Sequence, residues 1–133
     1  MMINIPVSAG ELIDKITILQ VKSVRMSDPA KLANVARELE LLEAERQSAL
    51  ASFDLTDLTA RLREVNDRLW DIEDGKRAHE ARGDFGPAFV ELARLVYKLN
   101  DLRADLKRQI NLLTGSAIVE EKSHPAYGRD GSA

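Results

Sequence analysis

The chain has 133 residues and a mass of 14.8 kDa, with 19 Lys and Arg against 22 Asp and Glu, a net charge of −3. It contains no cysteine, which excludes disulfides, thiolate metal sites and cysteine nucleophiles. The near balance of charge argues against a nucleic-acid binder built on a basic field, and 5% aromatic residues are too few for a base-stacking platform.

The first residues, Met1-Met2-Ile3-Asn4-Ile5-Pro6, carry no basic region and no long apolar run, so they do not read as a signal peptide. Ile3, Ile5 and Val7 alternate with Asn4, Pro6 and Ser8, the pattern of a short extended lead-in, and Pro6 confines it to a sheet edge at most. Ser8-Ala9-Gly10-Glu11 is a capping box, so a first helix is expected over residues 9–26. Asp28-Pro29 pairs an N-cap with proline at the first helical position, opening a second helix over 29–51. Asp54 caps a third helix, which Gly83 ends. Gly86-Pro87 starts a fourth helix, which Gly115 ends. Gly75 sits inside the third helix and marks a kink or an early end.

Apolar seams support this division. The second helix carries Leu32, Val35, Leu39 and Leu42, and the third carries Leu58, Leu62, Val65, Leu69 and Ile72. The fourth carries Phe89, Leu92, Val96, Leu99, Leu106, Ile110 and Leu113, with Arg103 occupying one slot. Seams at this spacing suit helices packed nearly antiparallel. The expected fold is all-α, a four-helix antiparallel bundle dominated by a hairpin of the third and fourth helices, each roughly 42 Å long at 1.5 Å per residue. The first helix is apolar over a wide arc, from Leu12, Ile13 and Ile16 to Val24, so it lies centrally or is covered by a second subunit. A homodimer is expected because the fourth helix outreaches the first by roughly 15 Å. The domain is placed at residues 1–127, with a disordered tail at 128–133. No apolar run approaches the roughly 20 residues that span a bilayer, and a cytoplasmic protein without membrane or nucleic-acid partners is expected.

Two constellations merit chemistry. Asn66, Trp70, Glu73 and Arg77 follow at spacings of four, three and four, so they share a face of the third helix. Tyr97, Asn100, Lys107 and Asn111 line a similar stripe on the fourth, with Arg103 beside it. If the two rows oppose each other, they form an amphipathic cleft for a small anionic ligand or a partner. Otherwise they form a network that fixes helix register. The second constellation is Glu40 with Glu43, and Glu64 with Asp67. Four carboxylates on two helices suit Mg²⁺, as in the all-alpha nucleoside-triphosphate pyrophosphohydrolases. Acidic pairs at this spacing recur along the chain at Glu11/Asp14, Asp54/Asp57 and Asp71/Asp74, as a solvated helix face also requires.

No catalytic residue is assigned and no cofactor is expected, Mg²⁺ belonging to the hydrolase alternative alone. His79 and His124 do not follow a Glu by three residues, as a di-iron site needs. No glycine-rich phosphate loop is present. Ile13-Asp14-Lys15-Ile16 resembles one short stretch of the chorismate-mutase bundles.

Four ordered stretches resemble a family of small bacterial all-helical proteins catalogued as a domain of unknown function. They are Pro6 to Leu19 (PVSAGELIDKITIL), Val65 to Asp74 (VNDRLWDIED), Val96 to Asn111 (VYKLNDLRADLKRQIN), and Gly115-Ser116 with Glu120-Glu121-Lys122-Ser123. The resemblance implies a helical protein and carries over no activity. The leading expectation is therefore a non-enzymatic scaffold or binding protein, with the hydrolase as the alternative.

Overall fold

The computed structural model describes residues 1–126. Its four helices are α1 (Ala9–Arg25), α2 (Pro29–Leu50), α3 (Thr56–Arg82) and α4 (Pro87–Thr114). No strand occurs among the described residues, so the lead-in pairs with no sheet. No helix there is long and apolar enough to cross a membrane. Tyr127 and the proposed tail at 128–133 lie outside the described residues.

The ends form where local chemistry places them. Ser8 accepts the N–H of Glu11 at 3.0 Å, and Asp28 accepts that of Ala30 at 3.0 Å. Asp54 accepts the N–H of Thr56 at 3.2 Å, so α3 starts one residue later than a cap at Asp54 implies. Gly83 and Gly115 end their helices in the left-handed conformation, at φ 65° each, which glycine adopts without a Cβ penalty. Gly75 does not end α3, which continues through it to Arg82. A Cβ there would lie 3.1 Å from Leu92 Cδ1, so the missing side chain lets α3 and α4 close on each other.

The core is built around α1, which packs against α2, α3 and α4, while α3 packs along α4. Of its 17 residues, eight are buried, against Val35 and Leu50 in α2. The apolar arc is thus covered by three helices of its own chain as far as Val21, while Val24 at its end is exposed. Ile13, Ile16, Leu62, Leu106 and Ile110 form the driest part of the core. Each such side chain contributes about 1.5–3 kcal/mol on burial. The α4 seam holds through Leu99, Leu106 and Ile110, but Leu113 is exposed.

Beyond Gly115 the chain turns back. Residues 116–126 have no regular secondary structure and run along α4 toward its middle. Arg108 holds Glu121 at 3.3 Å, and Lys122 pairs with Asp101. Ser116 Oγ accepts the N–H of Ala9 at 3.2 Å, tying this segment to the start of α1.

Candidate functional site

A fully buried carboxylate organises the centre. Asp14 has an exposure of 0%, flanked on α1 by the buried Ile13 and Ile16 and by the equally buried Thr17. Arg103 of α4 grips it with both arms of the guanidinium: Nε donates to Oδ1 at 2.9 Å, and a terminal nitrogen donates to Oδ2. Asn66 of α3 donates to the same Oδ1 at 2.9 Å and to Thr17 Oγ1 at 2.9 Å. The Thr17 hydroxyl donates to the Asp14 carbonyl at 2.8 Å. Among the described residues no buried side-chain polar atom lacks a partner. The arrangement therefore meets the condition under which a charge is tolerated in a core. The bonds from Asp14 hold the Arg103 guanidinium above its ordinary range, against the opposing effect of burial.

A second polar cluster lies further along α4. Gly10 has no side chain because a Cβ there would run into the Lys107 carbonyl oxygen and come within 2.9 Å of Asn111 Oδ1. That close approach lets the Gly10 N–H donate to Asn111 Oδ1 at 2.7 Å. Lys107 pairs with Glu11 at 2.6 Å. The capping box forms only in its Ser8 half. The lysine attracts the Glu11 carboxylate more strongly than a neutral backbone N–H does. The C-terminal segment completes the cluster. Glu120 takes the Ser8 hydroxyl on one oxygen and the Asn111 amide, at 3.0 Å, on the other. Partial burial raises the Glu120 carboxyl. The bonds from Ser8, its own N–H and Asn111, with the charge of Lys107, outweigh this and leave it below its ordinary range.

Between the two clusters lies a cleft of about 240 Å³. Asn100, Arg103, Lys107, Arg108 and Asn111 line it from α4, and Glu120 and Lys122 line it from the returning segment. Arg103 spends three of its N–H groups on Asp14 and Asn100, the last bond at 3.5 Å. A guanidinium has five, and among the described residues the other two have no partner. Such a lining can hold an oxyanion through charge and directed donors.

Of the nine residues expected to form a ligand stripe, Asn100, Arg103, Lys107 and Asn111 meet at this cleft. Asn66 joins the buried knot instead. Trp70, Glu73, Arg77 and Tyr97 do not line the cleft. Glu73 pairs with Lys76 at 3.3 Å, Arg77 is exposed, and Tyr97 is 62% exposed. The reason is that α1 stands between the two expected rows, so Asn66 and Arg103 meet through Asp14 rather than directly. The sequence reading missed Ser8, Glu11, Asp14, Thr17, Arg108, Glu120 and Lys122 as site residues. A lone acid between Ile13 and Ile16 was the available signal, since a buried carboxylate demands a basic partner.

The carboxylates of the hydrolase alternative do not come together. α2 packs against α1 rather than along α3. Glu40 and Glu64 are exposed, Glu43 holds Arg46 at 2.7 Å, and Asp67 holds Arg25 at 2.9 Å. Among the described residues no three or more His, Cys, Asp or Glu side chains cluster as a metal site would require.

The model of a family of unknown function, DUF6165, matches residues 2–129, and the chain belongs to that family. No curated protein and no solved structure matches the chain.

Proposed function

We propose, for this member of a family without an assigned activity, that the protein is a non-enzymatic helical binding module and that the α4 cleft takes a small anion. The observation that carries the reading is the lining itself. Arg103, Lys107 and Arg108 of α4 converge on one cleft, and Asp14 and Asn100 hold Arg103 in place with two N–H groups unspent. Fixed donors lower the ordering cost of binding. Beside these cations stand the side-chain amides of Asn100 and Asn111, and the one carboxylate in the lining, Glu120, is tied to Ser8 and Asn111.

Isothermal titration with inorganic phosphate, pyrophosphate and succinate tests this. Saturable binding is expected with Kd on the order of 1 μM to 1 mM, which corresponds to roughly 4–8 kcal/mol. The Lys107→Ala variant should bind at least about tenfold more weakly, the effect of removing one charge-assisted bond. The Arg25→Ala variant, altered far from the cleft, should bind as the parent does. Absence of saturable heat with all three anions contradicts the reading and leaves the cluster a structural clamp.

A homodimer is supported by the large apolar side chains that α4 leaves exposed, Tyr97, Leu102, Leu112 and Leu113. Light scattering on the eluting peak tests it, and a mass of 14.8 kDa at high concentration contradicts it.

A further inference from the structure

We infer that the Glu120 carboxylate is a built-in occupant of an anion seat, and that a small oxyanion binds by taking the seat and displacing the returning segment. This rests on the cleft reading above and names how access to the cleft is controlled.

The seat is made by groups whose orientation does not depend on Glu120. Asn111 is 1% exposed, and the Gly10 N–H on its Oδ1 settles which way the amide faces. Its Nδ2 is thereby aimed at Glu120 Oε2. Ser8 is equally buried, and its oxygen is engaged by the Glu11 N–H, so its hydroxyl hydrogen is free to point at Glu120 Oε1. Lys107 is held nearby by Glu11. Two directed donors and one anchored cation therefore face a single position. A carboxylate or a phosphate presents two oxygens to such a pair of donors in the same way.

The occupant is held far more loosely than the seat. Residues 117 and 118 and 120–126 are exposed, and the segment forms no helix or strand. Its other side-chain ties are Ser116 to Ala9, Glu121 to Arg108 and Lys122 to Asp101. Exposed ion pairs of this kind contribute little and weaken with salt. Gly115, at φ 65°, provides the turn from which the segment departs. A segment that closes its own site lowers apparent affinity by the fraction of time the site is open.

The test uses the full chain and its Glu120→Ala and Glu120→Gln variants, titrated with inorganic phosphate and with acetate. The Glu120→Ala variant should bind at least about tenfold more tightly than the parent, as removal of a competing occupant requires. Glu120→Gln, which keeps the shape but not the charge, should fall between them. In the parent, amide hydrogen exchange over residues 116–122 should accelerate at saturating phosphate while α1 stays protected. Equal affinity of parent and Glu120→Ala, with exchange unchanged, overturns this inference and leaves the cleft reading standing. Weaker binding by Glu120→Ala overturns it too, by making Glu120 a supporting group. No binding by any of the three overturns both readings. If Glu120→Ala fails to fold, the exchange measurement on the parent decides.

Discussion

Two arginines grip carboxylates across α1, one near each end. Arg103 holds Asp14 near the helix start, and Arg25 holds Asp67 and Asp71 from its last turn. On paper the exposed clamp is the richer, with four bonds of 2.6–3.1 Å to two carboxylates. Its partners are 50% and 63% exposed, however, whereas Asp14 is 0% exposed. Water and salt screen the first pair. Burial makes the second indispensable, because losing one partner strands a charge in the core. Bond count therefore does not rank the two ends of α1, and desolvation does. The same contrast bears on function. Arg25 commits four of its five N–H groups to two carboxylates, while Arg103 commits three to Asp14 and Asn100 and lines a cleft.

The largest expected effect sharpens this contrast. Arg103→Ala should cost about 3–5 kcal/mol in urea unfolding, because it strands the fully buried Asp14 carboxylate. Combining Arg103→Met with Asp14→Leu should avoid most of that loss, since a packed apolar pair often matches an ion pair in stability. The double variant should nonetheless lose phosphate binding. Gly10→Ala comes next, at about 1–3 kcal/mol for overpacking. The obstacle there is the backbone oxygen of Lys107, which cannot swing aside as a side chain can.

Acid should release the returning segment before it unfolds the bundle. The Glu120 carboxyl lies below its ordinary range in the folded protein, so its contribution is complete above the unfolded value. That contribution fades as pH falls below about 4.3, the ordinary glutamate value. The protection of amides over 116–122, corrected for the intrinsic pH dependence of exchange, should fall across that window and stay constant between about pH 6 and 8, where a carboxylate of ordinary or lowered pKa does not titrate. Smallest of all is Arg25→Ala. Its melting curve should overlay that of the parent at about 0.5 M salt, where the Debye length is only a few ångströms. A clear drop in melting temperature there would break the contrast between the two ends of α1.

Helix boundaries were legible because they depend on neighbours in sequence. Ser8, Asp28-Pro29, Gly86-Pro87 and Gly115 each act within a turn of themselves. Asn100, Arg103, Lys107 and Asn111 were legible together for a similar reason, since one helix carries them at spacings of three and four. The α3 half of the stripe was not. Whether Trp70 and Arg77 face α4 depends on helix rotation and on α1 lying between, neither of which periodicity records. Glu120 lies 112 residues from Ser8 in sequence, and only the fold brings them together. The four stretches that carried the family resemblance meet in this one region. Gly10, Glu11, Asp14 and Thr17 come from the first, Asn66 from the second, Arg103, Lys107 and Asn111 from the third, and Glu120 and Lys122 from the last.

The most direct measurement is a side-chain NMR titration of the labelled full chain with inorganic phosphate at constant ionic strength. The Arg103 Nε–H and Asn111 Nδ2 signals should shift along a saturable curve with a common midpoint, while the Arg25 Nε–H signal, bound to Asp67, holds still. Arg25 and Arg103 moving together without saturation, or neither moving at all, would contradict an anion site in the α4 cleft.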